Sequence, residues 1–187
     1  MKKLTFVMVF AVATLFFLLS SSRPASAEEI TCTGTLGAIT VDNVLVPENA
    51  TCVLNKTTVQ GTVYVETGAT LRTNRAIVNG NIQGEGAKLV RVVLGSVGGS
   101  IQVVQGDGAF IDRVQVNGDI LLDSNDKKLT VKTNTVGGNV QAFQNTGGII
   151  ISTNTIDGNL RCTGNSPAPT GGGNIVQGNK ENQCAGL

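Results

Sequence analysis

Three kinds of side chain in this 187-residue sequence could do chemistry, and many of them recur at one spacing. Glu66 and Glu85 are 19 residues apart, and Asp123 lies two periods further on, with Val104 in the gap. Asp107 and Asp126 repeat the interval. Carboxylates in such ladders could hold a cation, or act as general acid and base on a glycosidic bond. Arg72 and Arg91 are also 19 apart, as are Arg113 and Lys132, and Arg75 shares the offset of Arg113. Cations at a fixed spacing could hold an anionic polymer. The third kind is the thiol, at Cys32, Cys52, Cys162 and Cys184. Histidine is absent and no Cys-x-x-Cys occurs, which removes the usual zinc ligand sets, and no cofactor is expected. Gly171-Gly-Gly173 is not followed by Lys-Ser/Thr, so it does not read as a phosphate loop.

A common spacing means a repeated element. The motif is aliphatic-x-Gly-polar-aliphatic, seen in Val59-Gln-Gly-Thr-Val63, Val78-Asn-Gly-Asn-Ile82 and Val97-Gly-Gly-Ser-Ile101. It continues from Val116, Val136 and Ile156, and a decayed copy starts at Val176. Successive starts differ by 19, 19, 19, 20, 20 and 20 residues. Within a copy, alternate side chains face opposite ways, as in a strand. One copy is too short to bury its own apolar side, but copies stacked in parallel bury each other's. A second aliphatic cluster per repeat, such as Leu89, Val90 and Val92, adds another strand. The sequence therefore predicts an all-β, single-stranded parallel β-helix of about 6–8 coils of 19–20 residues, right-handed rather than left-handed because no strict hexapeptide rhythm is kept. Val63, Ile82, Ile101, Ile120, Val140 and Leu160 should form one inward stack. The Gly and Asn residues suit bends that need positive φ. The polar position after the repeat glycines, Thr62 through Asn179, should form a hydrogen-bonded ladder of structural character.

The ends read differently. Residues 1–27 combine Lys2 and Lys3, an apolar run and Ala25-Ser26-Ala27, the pattern of a secretory signal peptide cleaved after Ala27. Residues 28–58 read as an N-terminal cap, 59–160 as the repeat core and 161–187 as a C-terminal cap. Cys32 and Cys52 are one coil apart, and Cys162 and Cys184 one coil plus two residues, so each pair should be a disulfide between neighbouring coils. Lys2, Lys3 and Arg23 fall in the leader, which leaves 11 of the 14 basic residues against 13 acids. That balance does not suggest a nucleic-acid partner. No membrane span is expected once the leader is removed, and capped ends should leave a monomer or small oligomer.

The Val-x-Gly-(Asp/Asn)-(Ile/Val) rhythm over residues 59–160 resembles that of bactofilins, which implies a polymer-forming β-helix. It departs from them in its leader and its paired cysteines. The stretches Gly158-Asn-Leu-Arg-Cys162, Pro167-Ala-Pro169, Gly171-Gly-Gly-Asn174 and Gly178 to Cys184 resemble the tail of a family of small secreted bacterial proteins of unknown function. That resemblance implies no activity.

Three functional classes follow. The first is a secreted or cell-surface, non-enzymatic structural or surface-interaction protein. The second is a carbohydrate-binding module or polysaccharide-acting enzyme, and the third an extracytoplasmic bactofilin-like polymer. Equal offsets should place Arg72, Arg75, Arg91, Arg113 and Lys132 on one exposed face, suited to an anionic glycan or cell-envelope polymer. Thr133-Asn-Thr135 and Thr153-Asn-Thr155, one coil apart, form two rungs of a Thr-x-Thr array of the kind seen in ice-binding solenoids.

Overall fold

The computed structural model describes residues 28–187; the leader assigned to residues 1–27 lies outside them. Every strand pairing is parallel, and the chain winds through about eight coils as a β-solenoid with three faces. The first face is a nine-stranded sheet. Its central strands are Val63–Val65, Ile82–Glu85, Ile101–Val104, Ile120–Asp123 and Val140–Phe143. The second face includes Thr51–Asn55, the starts of three nine-residue strands (Thr70–Val78, Leu89–Val97 and Gly108–Val116), then Leu129–Lys132 and Ile149–Ser152. The third face is formed by the ends of those long strands and by short pieces such as Thr135–Val136 and Thr155–Ile156.

The predicted inward stack is present. Ile82, Ile101, Ile120, Val140 and Leu160 are successive register partners with no solvent exposure, and Val63 pairs with Ile82 below them. A second inward row follows two residues on, from Val65 through Gly84, Val103, Leu122 and Ala142 to Cys162. Small aliphatic side chains suffice because the three faces lie close together. Burying each contributes about 1.5–3 kcal/mol for the larger members.

Both end segments continue the solenoid. Glu29–Thr31 pairs with Asn43–Val46, and Leu160–Thr163 with Lys180–Asn182. The disulfides follow the predicted pairing: Cys32–Cys52 and Cys162–Cys184 join neighbouring coils, with Cα atoms 5.4 and 5.2 Å apart. Two buried disulfides suit an oxidising environment.

The bends meet the expectation of positive φ only in part. The repeat glycines do not adopt positive φ. A Cβ on Gly158 would lie 2.6 Å from Asn139 Oδ1, and one on Gly178 2.5 Å from Asn159 Oδ1. Glycine is required there because the side chain of the preceding coil occupies the space. Positive φ falls at the other two bends, on glycines such as Gly86, Gly95 and Gly164 and on many non-glycine residues. Arg75, Leu94, Arg113, Thr133 and Thr153 turn the chain from the second face to the third, with φ of 54–57°. Gln105, Ser124 and Gln144 turn it from the first face to the second.

Candidate binding faces

The polar position after each repeat glycine forms the expected ladder. The Ser100 N–H donates to Asn81 Oδ1 at 2.8 Å, and the Asp119 N–H to Ser100 Oγ at 3.0 Å. The Asn159 and Asn179 N–H groups continue it onto Asn139 and Asn159 Oδ1, each at 2.8 Å. These side chains are committed to the backbone of the next coil, which makes the ladder a structural device.

Two further ladders carry no motif of their own in the sequence and were not singled out there. Asn125, Asn145 and Asn165 stack, buried, at the first bend, and Asn134, Asn154 and Asn174 at the second. The amide nitrogens of Asn125, Asn145, Asn134 and Asn154 each donate to the next Oδ1 and to a backbone carbonyl of an earlier coil. Their 20-residue spacing was the available signal. It sits inside the two Thr-x-Thr segments, where the central asparagine is the buried residue. Thr133 and Thr153 lie at the positive-φ bend, whereas Thr135 and Thr155 begin strands of the third face. The threonines therefore do not share one flat strand.

On the first face the acids stack as the spacing predicted. Val104 pairs with Glu85 on one side and with Asp123 on the other, and Glu66 follows Val65, the partner of Gly84. Glu66 and Glu85 are exposed and line a shallow groove of about 880 Å³ with Tyr64, Gln83 and Gln102. Glu66 Oε2 accepts a hydrogen bond from the Glu48 N–H at 3.0 Å. Asp107 and Asp126 occupy equivalent positions in neighbouring coils, and Asp126 is paired with Lys127 at 3.4 Å.

The five basic residues divide. Arg72 and Arg91 are direct register partners on the second face, and Phe110 follows in the same row. The Arg91 guanidinium lies 5.3 Å from the Phe110 ring centre, and the Lys132 ammonium 5.4 Å from it. Both cations are half-buried as a result, rather than largely exposed as expected. Arg75 and Arg113 sit at the second bend, at the edge of this face. Arg113 and Lys132 do not stack. An extra residue is taken up at Lys127–Lys128, so Lys132 pairs with Asp112 and Arg113 falls level with Thr133.

Arg113 has a different task. Its guanidinium lies 3.0 Å from Asp112 Oδ2, and the Asp112 side chain is only 7% exposed. Arg113→Ala would leave that carboxylate covered and without its partner. The variant is expected to lose about 1–2 kcal/mol in chemical denaturation, a figure held down because the guanidinium is half exposed. Arg72→Ala should stay within about 0.5 kcal/mol of the parent.

The sequence reading also missed a groove of about 480 Å³ at the edge of the second face. Arg72, Lys88, Lys127 and Lys128 line it, with Asp107 as its one acid. Gly108 forms part of its wall between Leu89 and the Lys127–Lys128 segment, where a side chain would otherwise project. Lys88 and Lys128 are two coils apart, and nothing in the 19-residue spacing links them. Among the described residues no group of three acids, cysteines or histidines is placed to hold a metal ion. No protein-family model, curated protein or solved structure matches the chain, so the likeness of its repeat to bactofilins and of its tail to small secreted proteins rests on the short motifs alone.

Proposed function

We propose that this is an exported, non-enzymatic surface-interaction protein that holds an anionic glycan or cell-envelope polymer along the second face of its solenoid. The observation that carries the reading is the groove lined by Arg72, Lys88, Lys127 and Lys128, continuous with the stacked Arg72–Arg91 pair. A rigid row of cations at strand spacing suits a linear polyanion lying along the solenoid axis. Titration of the purified protein with anionic and neutral polysaccharides tests it. Binding should be confined to the anionic polymers and weaken steeply with salt. Lys88→Gln with Lys128→Gln should lower affinity about tenfold at low salt, at somewhat under 1 kcal/mol for each exposed cation. Binding that ignores salt and both substitutions would overturn the reading. A second reading, a carbohydrate-binding module for neutral chains, is favoured by the exposed Tyr64 beside Gln83 and Gln102 in the first-face groove. The neutral arm of the same titration reads it.

A further inference from the structure

Two rows of outward side chains, one on each of two faces, are complementary in five of six coils. On the first face the row runs Pro47, Glu66, Glu85, Val104, Asp123, Phe143. On the second face, in the same six coils, it runs Val53, Arg72, Arg91, Phe110, Thr130, Ile150. Lys132 stands two residues beyond Thr130 and reaches back over the Phe110 ring, which places its ammonium beside the fourth position. The first row therefore reads apolar, negative, negative, apolar, negative, apolar. The second reads apolar, positive, positive, apolar, neutral, apolar, with the Lys132 ammonium beside its fourth member.

We propose that these faces dock on each other between copies of the chain, with solenoid axes parallel and coils in register. Glu66 then meets Arg72, Glu85 meets Arg91 and Val104 meets Phe110 of the neighbouring copy, while Asp123 faces Thr130, one coil from the Lys132 ammonium. The spacing matches by construction, because both rows have the same coil rise of about 4.8 Å. The pattern also selects the arrangement. Over the same coils, turning one copy end for end, or sliding it by one coil, keeps only one opposite-charge contact and sets the other charges against apolar or neutral side chains.

The isolated chain supplies the driving force. Arg72 and Arg91 are like charges on directly paired strands, as are Glu66 and Glu85, an arrangement that repels. Among the described residues none of these four takes part in an ion pair. A second copy gives each an opposite partner. The contact joins different faces, so a pair leaves the first face of one copy and the second face of the other free, and association proceeds to a ring or a ribbon rather than stopping at a dimer. Six coils span only about 29 Å, which places the interface in the small, salt-sensitive class.

The test is sedimentation at high protein concentration with charge-reversed variants, their folds checked by circular dichroism. The parent should show a weight-average mass at least about twofold above the monomer at low salt, and a monomer at about 1 M salt, where screening acts within about 3 Å. Glu66→Arg with Glu85→Arg should be monomeric alone, as should Arg72→Glu with Arg91→Glu. Mixed in equal amounts, the two folded variants should associate again, because each offers the face that the other lacks. A parent that stays monomeric at low salt overturns the proposal. So does association that survives high salt or either variant alone, or a mixture that stays monomeric. The outcome is separable from the polymer-binding reading: the Glu66 and Glu85 substitutions leave the second face intact, so polymer binding should persist in that variant.

Discussion

Ile120→Asp is expected to abolish the cooperative unfolding transition, leaving a chain without native β-sheet signal at room temperature. Ile120 is fully buried and stacks between Ile101 and Val140 on the inner side of the first face. Removing its aliphatic side chain alone costs about 2–5 kcal/mol. The carboxylate adds several more, because the inward row offers it neither water nor a cation. Whole-domain stability is of order 5–15 kcal/mol. A solenoid is also coupled mainly between neighbours, so a broken middle coil leaves short stacks on either side, and short stacks are poorly stable. Leu121→Asp, one residue on and facing outward, should unfold within about 1 kcal/mol of the parent. If both variants melt alike by circular dichroism, the inward stack is misplaced.

Asn154→Leu should cost about 3–5 kcal/mol in chemical denaturation, although it puts an apolar side chain into a buried site. The Asn154 side chain makes four hydrogen bonds. Its Oδ1 accepts from the Asn134 N–H at 3.0 Å and from Asn134 Nδ2 at 3.0 Å. Its Nδ2 donates to the Val131 carbonyl at 3.0 Å and to Asn174 Oδ1 at 2.9 Å. Leucine replaces none of them, and the Asn134 backbone N–H loses its acceptor inside the bend. Amide exchange at Asn134 should quicken well before global unfolding. Thr155→Val, one residue away and outward-facing, should change stability by less than about 0.5 kcal/mol. Equal stability of Asn154→Leu and the parent would show that this ladder is incidental.

These two predictions differ in what made them visible. Ile120 lies in a row that the repeat spells out residue by residue. In a stack of short parallel strands the period alone says which side chain follows which along the axis. The alternation within a strand says which way it points. The same logic paired Cys32 with Cys52 and Cys162 with Cys184, since only neighbouring coils come within disulfide reach. Asn154 lies at a bend, where alternation fails. Whether a bend residue points inward depends on the φ of the residue before it, and here that residue is Thr153 at 54°.

By itself, then, the sequence determined the parallel stack, its inward rows, the nearest-coil disulfides and the first-face acid row, all consequences of period and alternation. The tertiary structure decided what depends on angles and on where an extra residue is absorbed. The single residue taken up at Lys127–Lys128 moved Lys132 from Arg113 to Asp112 and brought both lysines beside Lys88 and Arg72. The bends decided which offsets share a face, and so separated Arg75 and Arg113 from Arg72 and Arg91. They also set Glu66, Glu85, Val104 and Asp123 on one side of the prism and Arg72, Arg91, Phe110 and Lys132 on another. A linear period gives the distance between equivalent residues along the axis. It contains no information about the turn between faces, and that turn decides which of them can meet the same partner.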